Sequence, residues 1–398
     1  MEVPLLQIIH YSDMHLAVDG YVSMRWLLKR AYPRLSHESQ QGWAGPRRAV
    51  LPEFIHLIEA LTTNDSAWAD RPAWLVDTGD GTTFGDVASL EEWQEWSDQF
   101  AQASGPQGRL MRVYGNHDGW PGTFPLLDLG LQSSMDSQRN MLRRQHFRET
   151  WPELPWTVTV PGTPTRPGAA PSQIELYAVN TVDHDLLVNA AALGVAARDR
   201  RWSLLPNLGV DTPADDVARR AWVQPGGATG RNLRIAAMHY PVANDATPGN
   251  HTFVKVLANR KRFASDLQQH PQVKPLVVHV LLAGHTHLPF PSVGQLPRSA
   301  SAATHLPLVA GQCQVVSGSL SQLILPGTAL HAGASWAETV AFNSPYQCTV
   351  LRFYGQPDNP EELIMDRAIV GTDDSAIFAY LKIAPGSQQV WERMTFRL

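Results

Sequence analysis

Residues 110–118 read Leu-Met-Arg-Val-Tyr-Gly-Asn-His-Asp, an apolar run over 110–114 that stops at Gly115 and then presents Asn116, His117 and Asp118. A strand that ends in a glycine and then offers an amide, an imidazole and a carboxylate contributes little to a core and much to a site. The same construction occurs four more times. An apolar run through Leu5, Leu6, Ile8 and Ile9 ends in Ser12, Asp13, Met14 and His15, and the run 73–76 ends in Asp77, Thr78, Gly79 and Asp80. Further on, 233–238 delivers His239, Tyr240 and Pro241, and 277–283 delivers Gly284, His285, Thr286 and His287. Short runs that are continuously apolar suit strands covered on both faces, as in a layered α/β core.

Between these strands the pattern turns helical. Val50, Phe54, Leu57, Ile58 and Leu61 share one face of a helix over 47–61, and Leu90, Trp93, Trp96 and Phe100 recur at helical spacing over 89–103. Helices are also expected at 134–149, 186–205, 213–222 and 251–269, and paired strands at 157–160 and 174–180. Residues 16–50 are long for a connection and rich in Trp, Pro and Gly, which marks a cap or insertion. Past 313 the pattern becomes short strands, at 314–317, 349–354 and 362–369. The chain therefore reads as a main domain over 1–325, with its insertion at 16–50, followed by a β-rich extension over 326–398 packed on the same domain.

At 398 residues, with 43 % hydrophobic and 17 % charged residues, the composition is that of a globular protein with a sizeable core. A net charge of −5 and the absence of Lys/Arg runs give no support to nucleic-acid binding. No apolar stretch reaches the roughly 18 residues that span a bilayer, and no secretory leader is evident, so a cytoplasmic protein without a membrane partner is expected. The two cysteines, Cys313 and Cys348, lack metal-ligand spacing and read as buried thiols. A lone histidine on an apolar strand is usually a core residue. That explanation suits His10 and His37 but not five strand ends in series.

The order DxH, GD, GNHD, a lone His, then GHxH resembles the calcineurin-like metallophosphoesterase family over roughly residues 5–325. The resemblance implies a four-layer αββα sandwich of two mixed β-sheets flanked by helices, with a two-metal site across the strand ends. It implies that Asp13, His15 and His287 ligate one metal, that Asn116, His239 and His285 ligate the other, and that Asp80 bridges them. Mixed imidazole and oxygen donors suit Mn, Fe, Zn or Co better than Ca or Mg. The implied reaction is phosphate-ester hydrolysis by a hydroxide held between the metals, with His117 beside the leaving group and Asp118 orienting His117.

Two details depart from the commonest pattern: the second motif reads GDGTTFG, without a further acidic or amide residue, and the fourth carries Met238 before its histidine. Asp77 is either an outer partner of the metal site or a strand cap. The DxH first motif resembles the class III cyclic-nucleotide phosphodiesterase branch, which makes a phosphodiester, a nucleotide among them, the expected substrate. Phosphomonoesterase, nuclease and noncatalytic scaffold are the alternatives. Trp120 and Tyr240 are placed near the rim, where an aromatic ring could stack on a base or pack against the insertion. The insertion and the C-terminal region are read as a cap, a homodimer contact or both.

Overall fold

The computed structural model describes residues 2–16, 50–83, 87–115, 117–119, 155–162, 171–178, 232–240, 278–285, 313–317, 319–320, 346–372 and 392–398. Asn116, Trp120, His287, nearly all of the expected insertion and the expected helices between 134 and 269 lie outside these residues.

Strand β1 (Val3–Tyr11) shows how a continuously apolar run is used. Leu6 and Ile8 enter one core cluster and Ile9 and Tyr11 enter another, all fully buried, because successive side chains point to opposite faces of the sheet. The chain continues through α1 (Val50–Thr62), β2 (Ala73–Asp77), α2 (Val87–Ala103), β3 (Gly108–Arg112) and a 3-10 turn at His117–Gly119. It then forms β4 (Trp156–Thr159), β5 (Gln173–Ala178), β6 (Leu233–Ala237), β7 (Val280–Ala283) and β8 (Cys313–Val316). The last three strands are β9 (Tyr346–Gly355), β10 (Glu362–Thr372) and β11 (Glu392–Arg397).

The strands form two mixed sheets. The first has the order β11-β10-β9-β1-β2-β3 and the second β4-β5-β6-β7-β8. β1, β2 and β3 are mutually parallel, so their C-terminal ends lie on one edge; β5 to β8 are likewise parallel. The core between the sheets joins Leu6, Ile8, Trp74, Val76 and Met111 to Leu176, Ile235, Val280, Leu282 and Val315. On the other face of the first sheet, Leu51, Phe54, Leu57, Ile58 and Leu61 of α1 and Leu90, Trp93 and Phe100 of α2 pack on Ile9, Tyr11 and Leu75. Pro52 sits in the first turn of α1, where a missing N–H leaves no hydrogen bond unmade. Three layers, helix on sheet on sheet, are thus described, and the helices expected for a fourth fall outside the described residues.

The C-terminal strands are longer than their sequence suggested, 10 residues for β9 and 11 for β10, and they complete the first sheet. β9 pairs antiparallel with β1 from Val3↔Gly355 to His10↔Thr349. Leu351, Phe353, Leu363, Met365 and Phe396 enter the inter-sheet core.

Candidate metal centre

Asp13, His15, Asp80 and His285 are the non-glycine residues with positive φ among the described residues, at 55°, 49°, 54° and 69°. Left-handed backbone costs an L-residue about 1–2 kcal/mol and persists where the surroundings enforce it. All four lie just past a strand end, and all four belong to the motifs the sequence singled out. The backbone turns sharply there because its donors are taken up by the neighbouring loop: Asp13 N donates to Gly79 O at 2.8 Å, His15 N to Asp80 O at 2.9 Å and Leu16 N to Gly81 O at 2.8 Å. Gly115 is required for the same closeness, since a Cβ there would fall 2.0 Å from Asp80 N and 2.2 Å from Asp80 Oδ1.

Asp80 sits at the middle. Its Oδ1 accepts the His117 N–H at 2.8 Å. Its Oδ2 is buried and accepts no hydrogen bond, while His239 Nε2 stands 3.3 Å away and His15 Nε2 and His117 Nε2 stand 4.0 Å away. A buried carboxylate oxygen left without a donor needs a cation. Two groups of donor atoms share it, His15 with Asp80 and His117 on one side and Asp80 with His239 and His285 on the other. Asp13 joins the first group, with Oδ1 3.8 Å from His15 Nε2, and its Oδ2 accepts the His285 N–H at 3.0 Å. That contact ties β1 of one sheet to β7 of the other.

The imidazoles are fixed from behind. His239 Nδ1 donates to Thr78 O at 2.7 Å and His117 Nδ1 to Thr83 O at 2.9 Å; a carbonyl only accepts, so Nδ1 of each ring is protonated and Nε2 is turned toward the centre. Burial alone would push the His239 pKa down, but the Asp80 carboxylate outweighs it and holds the ring up at about 9. Burial likewise works against the charge on Asp80, and His239, His117 and His15 together hold it well below the usual carboxylate range. The electrostatics therefore favour positive charge around Asp80, and an oxygen-and-imidazole donor set fits transition-metal ions.

Several placements differ from expectation. The Asp118 carboxylate does not face His117: Oδ1 accepts from Thr82 N at 2.8 Å and Thr82 Oγ1 at 3.0 Å, and Oδ2 accepts from Gly115 N at 2.9 Å. Asp118 thus braces the loops after β2 and β3 against each other, and the partner of His117 is the Thr83 carbonyl. Tyr240, expected near the rim, is fully buried, its ring centroid 4.3 Å from that of His285 and 5.2 Å from that of His239. Asp77 is a strand cap: Oδ1 accepts from Gly79 N at 2.9 Å and Oδ2 from Trp93 Nε1 at 2.8 Å, and burial raises its pKa to about 7. His10 is a core histidine bonded to Thr78 Oγ1 at 3.0 Å. Sequence reasoning missed Thr78, Thr82 and Thr83, although the unusual pair of threonines after GDG was the visible signal.

Two facing mixed sheets with carboxylate and imidazole donors gathered at their strand ends define a class, the layered α/β proteins with a candidate metal site across such edges. A sequence model of the calcineurin-like phosphoesterase family matches residues 6–289, and the chain belongs to that family. The family implies a dinuclear metal centre and phosphoester hydrolysis. Strands β8 to β11 lie beyond the matched residues. No curated protein matches the chain. Similar solved structures include a dimetal phosphatase from Danio rerio, 11 % identical with a TM-score of 0.43 over 92 % of this chain and 99 % of that one. Another is PhoD, 10 % identical with a TM-score of 0.41 over 93 % of this chain and 69 % of that one.

Proposed function

We propose that this protein is a phosphodiesterase that works with two transition-metal ions, Mn, Fe or Zn. Asp80 is the observation that carries the reading. Its Oδ2 is buried with no well-aligned hydrogen bond, His239 Nε2 standing 3.3 Å away, and Asp80 belongs to both groups of candidate donors, the place a ligand shared by two cations would take. Asp13, His15 and His287 would hold one ion, and Asn116, His239 and His285 the other. When bound, the ions supply positive charge for the phosphoryl oxygens and an activated water. In its doubly protonated form His117, its Nδ1–H held by the Thr83 carbonyl, hands the Nε2 proton to the leaving-group oxygen. His117 keeps more exposure than the other rings of the group, 13 % of its side chain against 0 % for His15 and His239, with His285 4 % exposed, as suits a group that meets substrate. Trp120 is the candidate for stacking on a base or an aryl leaving group.

The DxH motif supports the choice of a diester. Protein stripped of metal and reloaded with Mn or Zn is assayed on p-nitrophenyl phosphate, its bis ester, cyclic nucleotides and an oligonucleotide. The bis ester and cyclic nucleotides are expected to turn over best. A monoester preference of about tenfold or more in kcat/KM makes the protein a phosphomonoesterase instead, and preferred cleavage of the oligonucleotide makes it a nuclease. Inactivity on the whole panel with both ions bound refutes the enzymatic reading.

A further inference from the structure

The loop that carries Asp13 and His15 is held on two sides. Its N–H groups at 13, 15 and 16 bond to the loop after β2, as described. The carbonyls of Ser12 and Asp13 turn the other way, toward the segment that follows β8 in the second sheet, whereas those of His15 and Leu16 accept from Thr83 in the loop after β2. Ser12 O accepts the Leu320 N–H at 3.0 Å, and Asp13 O accepts the Ser319 hydroxyl at 2.8 Å. Ser12 and Ser319 also form a parallel bridge. Ser319 is 5 % exposed and Asp13 fully buried, so no water competes freely for this contact. Asp13 is thereby gripped from the second sheet at two points, its carbonyl by Ser319 and its Oδ2 by His285 N.

We propose that Ser319 is a positioning residue for the metal site on the Asp13 and His15 side. The inference rests on the two-metal reading above. Asp13 is a left-handed residue whose peptide would relax toward ordinary backbone if its carbonyl were released. That rotation carries Oδ1 away from His15 Nε2. In the other donor group His239 is anchored by Thr78 O and His285 packs against Tyr240, while the His285 N–H bond to Asp13 Oδ2 links the two groups. Loss of the Ser319 hydroxyl should therefore weaken the ion on the Asp13 side more than the other. Ser317 supplies a matched control, because it is fully buried and its hydroxyl donates to His10 O at 3.0 Å, three residues upstream on the same strand.

The test is calorimetric titration of the metal-free full-length protein with Mn2+, together with thermal unfolding. Wild type is expected to bind two ions. Ser319→Ala should weaken one of them about tenfold or more, the size of loss seen when a ligand's supporting partner is removed, and weaken the other clearly less. Ser319→Thr, which keeps the hydroxyl, should restore the lost affinity. Ser317→Ala should lower stability and leave both affinities unchanged. Equal weakening of both ions in Ser319→Ala, the same loss in Ser317→Ala, or no rescue by threonine overturns the proposal. Wild type that binds fewer than two ions overturns both this inference and the function it rests on, and it is told apart by appearing without any substitution.

Discussion

His117 and Asp118 are neighbours in the chain with separate tasks. His117 faces Asp80 and is oriented by Thr83, whereas Asp118 spends its carboxylate on Thr82 and Gly115. Replacing His117 by Ala should leave metal content intact and lower kcat by about 10²–10⁴, the usual range for a lost acid or base. Metal analysis beside steady-state kinetics checks this, and loss of a metal ion would reassign His117 as a ligand. The motif residues Asp13, His15, Asp80, His239 and His285 were legible because each is a polar group placed directly after an apolar run, where burial has no other use for it. The role of Asp118 was not legible, because adjacency in sequence does not show which way a side chain points after a tight turn. Thr78 and Thr83 were hidden for another reason: they act on His239 and His117 through backbone carbonyls, which every residue has.

At the scale of elements, α2 joins packing to the site. Trp93 lies against the loop that carries Asp80, close enough that a Cβ on Gly81 would fall 2.1 Å from its ring, and its N–H caps Asp77. Trp93→Phe leaves one oxygen of a buried carboxylate without its donor and should destabilise the metal-free protein by about 1–3 kcal/mol. Urea unfolding measures this, with an unchanged m-value expected. At the start of β7, His279 accepts the Arg234 N–H on Nδ1 at 3.1 Å, a bond that only the neutral ring can make. Burial and then Arg234 lower its pKa from 6.5 to about 4. The unfolded chain therefore binds the proton more readily, so the stability from His279 is present above pH 6.5 and fades as the pH falls toward 4. His279→Gln should flatten the stability profile across that window. A profile as steep as that of wild type would show that other groups dominate. The two described helices, α1 and α2, were legible from their apolar periodicity, as were most of the described strands, with ends displaced by a few residues. β11 (Glu392–Arg397) was not recognised, because its charged ends hide the two inward residues, Met394 and Phe396.

For the whole molecule, pairing was the least legible property, since nothing local in 346–355 records that β1 lies beside it. β9 to β11 make up half of the first sheet, so removal of 346–398 should prevent folding instead of trimming a tail. Far-UV circular dichroism and solubility of the shortened chain check this, and a folded, metal-binding fragment would show the outer strands to be dispensable. Position in the sheet also has a consequence in time. β1 leaves the ribosome well before β9, the strand that covers one of its edges and follows only after 346. At synthesis rates of about 5–20 residues per second, that edge waits roughly 20–70 s for its neighbour. For that interval a nascent chain with an apolar, unpaired edge depends on chaperones or on ribosome crowding to keep it from pairing with a stranger.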